Sequence, residues 1–136
     1  MPKTSLKKPT VVTQAPQQEC GLSKLPPAAL SLMADFFKVL SEASRLQIVC
    51  SLKCGPKNVT QIIEETGLGQ ANVSKHLKVL ATAGIVTRSQ QGTSVYYEIA
   101  NPFLFELCDL VCDSLFMQMQ QQNQQLQQLK LLQDSF

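Results

Sequence analysis

The sequence holds a single histidine, His76. That imidazole has no evident orienting partner, no cysteine has a base beside it, and there is no phosphate-cradling loop. Acid–base or nucleophilic catalysis therefore has nothing to act with, and the chain reads as a non-enzyme. No apolar run approaches the ~20 residues of a membrane span, so no membrane partner is expected. The lysines near the N-terminus are followed by no apolar stretch, which argues against a secretory signal. No fixed-period repeat is present. Five cysteines are an odd number without the spacing of a secreted framework. They point to a reducing cytoplasm, where cysteine is core filler, metal ligand or reactive thiol.

A chain of 136 residues fits one domain with tails, built on a modest core. Its net charge is only +2, but the charge is unevenly spread. Residues 53–88 carry Lys53, Lys57, Lys75, Lys78 and Arg88 against Glu64 and Glu65, a local +3. Residues 100–136 carry Lys130 against Glu106, Asp109, Asp113 and Asp134, a local −3. The first segment suits a polyanion and the second does not.

Residues 1–27, rich in Pro, Lys, Gln and Thr, read as a disordered arm ending at Pro26-Pro27, a suitable helix start. Leu32, Met33, Phe36, Phe37 and Leu40 have helical spacing. Ser41 is the expected cap of a second helix, whose Leu46, Ile48, Val49 and Leu52 make it apolar nearly all round and place it centrally in the core. Gly55-Pro56 stops it. Asn58 is an N-cap for VTQIIEETG, which ends at Gly67. In the next helix Val73, Leu77, Leu80 and Ala81 form one stripe, with Gln70, Asn72, Ser74, Lys75 and Lys78 off it. The period then changes to two: IVTRSQ and SVYYEIA are strands joined by a Gln-Gly-Thr turn. Asn101-Pro102 opens a last helix striped by Leu104, Leu107, Cys108, Val111, Leu115 and Met119. The domain proper is thus residues 28–117. Residues 118–136 are a glutamine-rich segment, either helix extension or frayed tail, thinly striped by Leu126, Leu129 and Leu132.

Helix, Gly-containing turn, amphipathic helix and then hairpin describe a winged helix-turn-helix: an α+β fold, mostly helical, with a β-hairpin wing and a long terminal dimerisation helix. The face of the second helix away from its stripe suits a DNA major groove. Asn and Gln bond adenine edges bidentately, Lys reaches guanine or phosphate, and Lys75 and Lys78 add counterion release. Arg88, Gln90, Gln91 and Thr93 near the hairpin tip suit the neighbouring backbone or minor groove. The bland alternative is a solvated helix face; the hairpin directly after Gly84 argues against it.

The segments VLSEASRLQIV, VSKHLKVLATAGIV and GTSVYYEI together resemble the ArsR/SmtB family of winged-helix repressors, over roughly residues 33–117. The resemblance implies a cytoplasmic homodimer whose first and last helices form the interface. It also implies two recognition helices in successive major grooves of a double-stranded operator, and an inducer that lowers DNA affinity. It places Gln70, Asn72, Ser74, Lys75 and His76 at the DNA, with Arg88, Gln91 and Thr93 on the wing. His76 has a second reading, as a half-buried helix histidine.

The family's zinc and arsenic ligand patterns are absent: the last helix has no histidine and VTQIIEETG no cysteine. Cys50 and Cys54, and Cys108 and Cys112, are spaced i,i+4, so each pair is expected on one helix face. The motif RLQIVC resembles the family's thiol-responsive branch, which senses persulfide or oxidant. That resemblance implies that Cys50 pairs with a cysteine of the last helix, although the matching position here is Phe116, one turn beyond Cys112. The expected function is a repressor released by thiol modification, with no resident cofactor; the alternative of another class, a winged-helix protein-interaction module without DNA binding, is opposed by Asn72, Lys75 and the basic wing. The rival inducers are As(III) or another soft metal ion held by Cys50, Cys54, Cys108 and Cys112. Each of the four also has an ordinary reading as core packing. Cys20, in the arm, is read as a bystander.

Overall fold

The computed structural model describes residues 21–135; of the arm expected over residues 1–27, residues 1–20 lie outside them, and residues 21–24 form a turn instead. The chain divides into two contact units, Met1–Asp35 and Phe36–Phe136. The described part of the first holds a 3-10 turn, Gly21–Lys24, and the opening of helix α1 (Pro27–Leu40). The second holds the rest of α1, then α2 (Ala43–Ser51), β1 (Lys57–Asn58), α3 (Val59–Thr66), α4 (Gln70–Thr82), β2 (Val86–Gln91), β3 (Ser94–Ile99) and α5 (Phe103–Asp134). A mostly helical fold with a small sheet is what the periodicities predict.

The core is built from one face each of α2, α3 and α4. Ile48, Val49, Ile62, Val73, Leu77 and Leu80 are fully buried, and Leu40, Leu52, Ile85, Val86 and Leu104 complete the cluster. Each such aliphatic side chain contributes about 1.5–3 kcal/mol through loss of water contact, so this cluster holds α4 at a fixed angle to α3. The turn between α3 and α4 is set locally. The Asn58 side chain accepts from the Gln61 N–H while the Gln61 side chain accepts from the Asn58 N–H, a reciprocal capping box. Gly67 ends α3 in the left-handed region at φ 71°, which glycine adopts without steric cost. Glu65, unfavourably placed near a helix C-terminus, is paired with Lys57.

Three expectations change here. Ser41 does not cap α2: its hydroxyl donates to the Lys38 carbonyl and closes α1, while Glu42 takes the N-cap position with no side-chain cap bond. Helix α2 is not central on all sides, because Leu46 and Cys50 face outward beside Gln47, Glu65 and Thr66. Helix α1 forms as its spacing predicts, and of its apolar residues only Leu40 is buried, with Phe36 half-buried and Leu32, Met33 and Phe37 exposed. The hairpin gains a third strand: β1 pairs antiparallel with β3 through Lys57↔Tyr97 and Asn58↔Tyr96, giving the order β1-β3-β2. Two residues are too few for a periodic pattern, so nothing in the sequence marks β1 as strand.

Candidate nucleic-acid interface

Helix α4 turns its apolar stripe into the core and its opposite side outward. Gln70, Asn72, Ser74, Lys75 and Lys78 are all exposed. Gly69, the N-cap, supplies no side-chain bond, which leaves the first amides of α4 open to an anion. The wing is a tight hairpin running from Val86↔Ile99 to Gln91↔Ser94. Its two-residue loop begins at Gly92 with φ +64°, and Thr93 is not in the positive-φ region, the pattern of a II′ turn that keeps strand twist. Arg88, Gln91 and Thr93 are exposed on it. The Gln90 amide donates weakly to the Gly92 carbonyl, so it shapes the turn.

Helix and wing meet in a groove lined by Ser74, Leu77, Lys78, Thr82, Arg88 and Tyr97. Lys78 and Arg88 therefore share one concave surface although ten positions separate them in the chain. Among the described residues no carboxylate pairs with Lys75, Lys78 or Arg88. Two uncompensated cations in the groove, Lys78 and Arg88, with exposed Lys75 on the same helix, create a positive potential suited to a phosphate backbone. Tyr97 and Thr82 belong to this groove and were not apparent from sequence. Tyr97 alternates with Tyr96 in a strand whose facing depends on β1, and the Thr82 hydroxyl donates to the Lys78 carbonyl.

Of its two expected readings, His76 takes that of a helix histidine holding the fold rather than the groove-facing one. It is only 4% exposed, and its Nε2 lies 3.2 Å from a Glu42 carboxylate oxygen. The other Glu42 oxygen lies 2.8 Å from Arg45 Nη1, and Arg45 Nε donates to the Val39 carbonyl. The reason is helical geometry: position 76 falls between buried Val73, Leu77 and Leu80, on the inner side of α4. His76 Nδ1 is buried without a partner. The histidine fastens α4 to the start of α2 and leaves almost no surface to an outside partner.

The cysteines also move from their expected places. Cys50 and Cys54 are exposed, Cys108 is half-buried and Cys112 exposed, all as free thiols. Since α2 ends at Ser51, Cys54 lies in the turn beyond it, and the first pair does not share a helix face. Burial pushes the Cys108 thiol above its ordinary pKa, and nearby Cys50, Cys112 and Asp109 push it the same way. Lys53, in the turn beyond α2, meets Asp109 of α5 at 4.0 Å. Cys108, one turn before Cys112, is the α5 thiol that lies half-buried. Among the described residues no three of His, Cys, Asp and Glu gather into a metal-ligand set, so the four thiols do not form one site within the chain. No helix among the described residues is long and apolar enough to cross a membrane.

Comparison with known proteins agrees with this geometry. The description "bacterial regulatory protein, arsR family" matches residues 42–88, which run from the start of α2 into the wing. The HTH-type transcriptional regulator KmtR of Mycobacterium tuberculosis is 30% identical over 98 residues, covering 72% of this chain and 73% of KmtR. The crystal structure of M. tuberculosis Rv0081 superposes with a TM-score of 0.64 at 29% identity, covering 72% of this chain and 98% of that one. The homodimeric winged helix-turn-helix DNA-binding domain of Mb0332 from Mycobacterium bovis gives a TM-score of 0.60 at 34% identity, covering 65% and 85%.

Proposed function

The chain belongs to the arsR family of DNA-binding bacterial transcriptional regulators, and from that premise we propose that it is a homodimeric repressor whose hold on operator DNA is released by thiol modification. The observation that carries the DNA reading is the groove between α4 and the wing. It joins unpaired Lys78 and Arg88 and continues onto exposed Lys75, Asn72 and Gln70. In this reading Asn72 and Gln70 meet base edges, Ser74, Lys75 and Lys78 hold phosphates, and Arg88, Gln91 and Thr93 take the flanking backbone or minor groove. The uncapped start of α4 adds backbone N–H donors for a phosphate. The homodimeric DNA-binding domain of Mb0332 supports pairing of two such surfaces.

The thiol reading rests on exposed Cys50, which ends the RLQIVC motif, and on half-buried Cys108, whose pKa burial and then Cys50 raise. With a peroxide as oxidant, the Cys50 thiolate attacks one peroxide oxygen. The O–O bond breaks, and water and a sulfenic acid form. The Cys108 thiolate then attacks that sulfur, the S–S bond forms and hydroxide leaves as water. The dithiol loses two electrons and the peroxide gains them. A bond there would tie α2 to α5 and, through the shared core, bias the setting of α4.

The test is operator binding by the fully reduced protein, repeated after peroxide, a persulfide donor and arsenite in parallel. Binding when reduced, with release by peroxide or persulfide that Cys50→Ser abolishes, is the expected result. Release by arsenite alone overturns the oxidant reading in favour of a soft-metal inducer. Failure to bind any genomic fragment overturns the DNA reading.

A further inference from the structure

Helix α5 runs for 32 residues, about 48 Å. Only its first turns are packed: Leu104 is buried, Phe105, Leu107 and Cys108 half-buried, and every residue from Asp109 to Ser135 exposed. Past Asp109 the helix makes no hydrogen bond or ion pair to another element among the described residues. A helix so long and so glutamine-rich has little reason to persist in water without a partner, because helical stability comes mostly from packing an apolar face.

The unpacked part does carry such a face. Cys112, Leu115, Met119, Gln122, Leu126 and Leu129 alternate three- and four-residue steps, the heptad spacing of a coiled-coil seam. Leu115, Met119, Leu126 and Leu129 are 53–67% exposed along it. Phe105 and Cys108 carry the same spacing back into the packed end of the helix. The seam is therefore one line that begins on this chain's own core and continues off its end. The stretch from Ser114 to Leu129 contains no Asp, Glu, Lys, Arg or His. It offers no charges by which a different partner would be selected, and none by which a copy of itself would be repelled. Its many carboxamides are both donors and acceptors, and so complement themselves.

We infer that the α5 seam beyond Cys112 is covered by the same seam of a second copy of this chain, so that residues 118–134 form a dimer clasp outside the winged-helix domain. The clasp rests on the homodimer proposed above and extends it to a segment that does not touch DNA. About a quarter of this chain lies outside its match with Rv0081, whereas nearly all of that chain is used. The contact is isologous, closing at two chains and leaving no end free to propagate.

The experiment compares the full-length protein with Leu126→Glu/Leu129→Glu and with a control, Gln120→Glu/Gln127→Glu, by analytical ultracentrifugation and circular dichroism over a dilution series. Glu and Leu have similar helix propensity, so intrinsic helicity is matched. The seam variant should dimerise at least about tenfold more weakly and lose helicity, while the control stays at wild-type values. A seam variant that dimerises as tightly as wild type, at full helicity, overturns the clasp and leaves the homodimer standing. A control that weakens as much shows a charge effect, and also overturns it. A wild-type chain that is monomeric throughout overturns both the clasp and the homodimer.

Discussion

Lys75 and Asn72 sit three positions apart on the exposed side of α4, yet the proposed interface assigns them different kinds of work. Lys75→Ala should weaken binding on every sequence and lower the slope of log affinity against log salt by about one phosphate contact; a salt titration on two unrelated fragments measures this, and an unchanged slope would remove Lys75 from the interface. Asn72→Ala should instead relax preference at one base pair, by about 1–3 kcal/mol if the contact is bidentate. Competition between operator variants reads that difference, and a uniform loss would contradict the role. The cysteines separate by chemistry as well. Burial and neighbouring thiols raise the pKa of Cys108, so at neutral pH iodoacetamide should label exposed Cys50 and Cys54 before Cys108. The same shift makes stability fall at alkaline pH. Above the ordinary thiol pKa of about 8.5 the unfolded chain has lost a proton that folded Cys108 retains, so rising pH favours unfolding. Denaturant titrations of wild type and Cys108→Ser above that pH should show the extra slope in wild type alone. His76 teaches the opposite lesson about legibility. Its neighbours in sequence are polar and basic, but facing is decided by the angle around the helix, and Glu42, its partner, is 34 positions away. Long-range pairing of that kind leaves no local trace.

Elements whose signals are local were legible. Asn58 and Gln61 predict the start of α3, and Gly67 its end, because a capping box and a left-handed glycine act within one turn of chain. Asn58→Ala should cost about 0.5–2 kcal/mol, measured by urea denaturation, with the sheet affected too because Asn58 is also a residue of β1. The switch from 3.6 to 2 periodicity marks the wing, and the apolar stripe of α4 names three of its buried residues, Val73, Leu77 and Leu80. Elements decided by tertiary surroundings were not legible. Helix α2 looks apolar all round, but α3 and α4 cover only one side, leaving Leu46 and Cys50 outward. Strand β1 exists only because β3 passes beside it.

The whole molecule carries two surfaces of opposite charge: the basic groove of α4 and the wing, and the acidic helix α5. The thiols proposed to react belong one to each part of the chain, exposed Cys50 to α2 and half-buried Cys108 to α5. DNA affinity and dimer order are then readable as separate quantities, one set by groove cations and the other by the α5 face. The small sheet adds a mechanical consequence. Because Lys57 and Asn58 pair with Tyr97 and Tyr96 while Asn58 also starts α3, the hairpin is bolted to the helix before the recognition helix. The hinge that a free-standing hairpin would have at its base is missing. In the proposed complex a wing built this way would transmit torque: twisting it against a bent or overwound duplex would turn α3, and with it α4, as one lever arm. Sequences that resist that twist would be rejected even where no side chain touches a base.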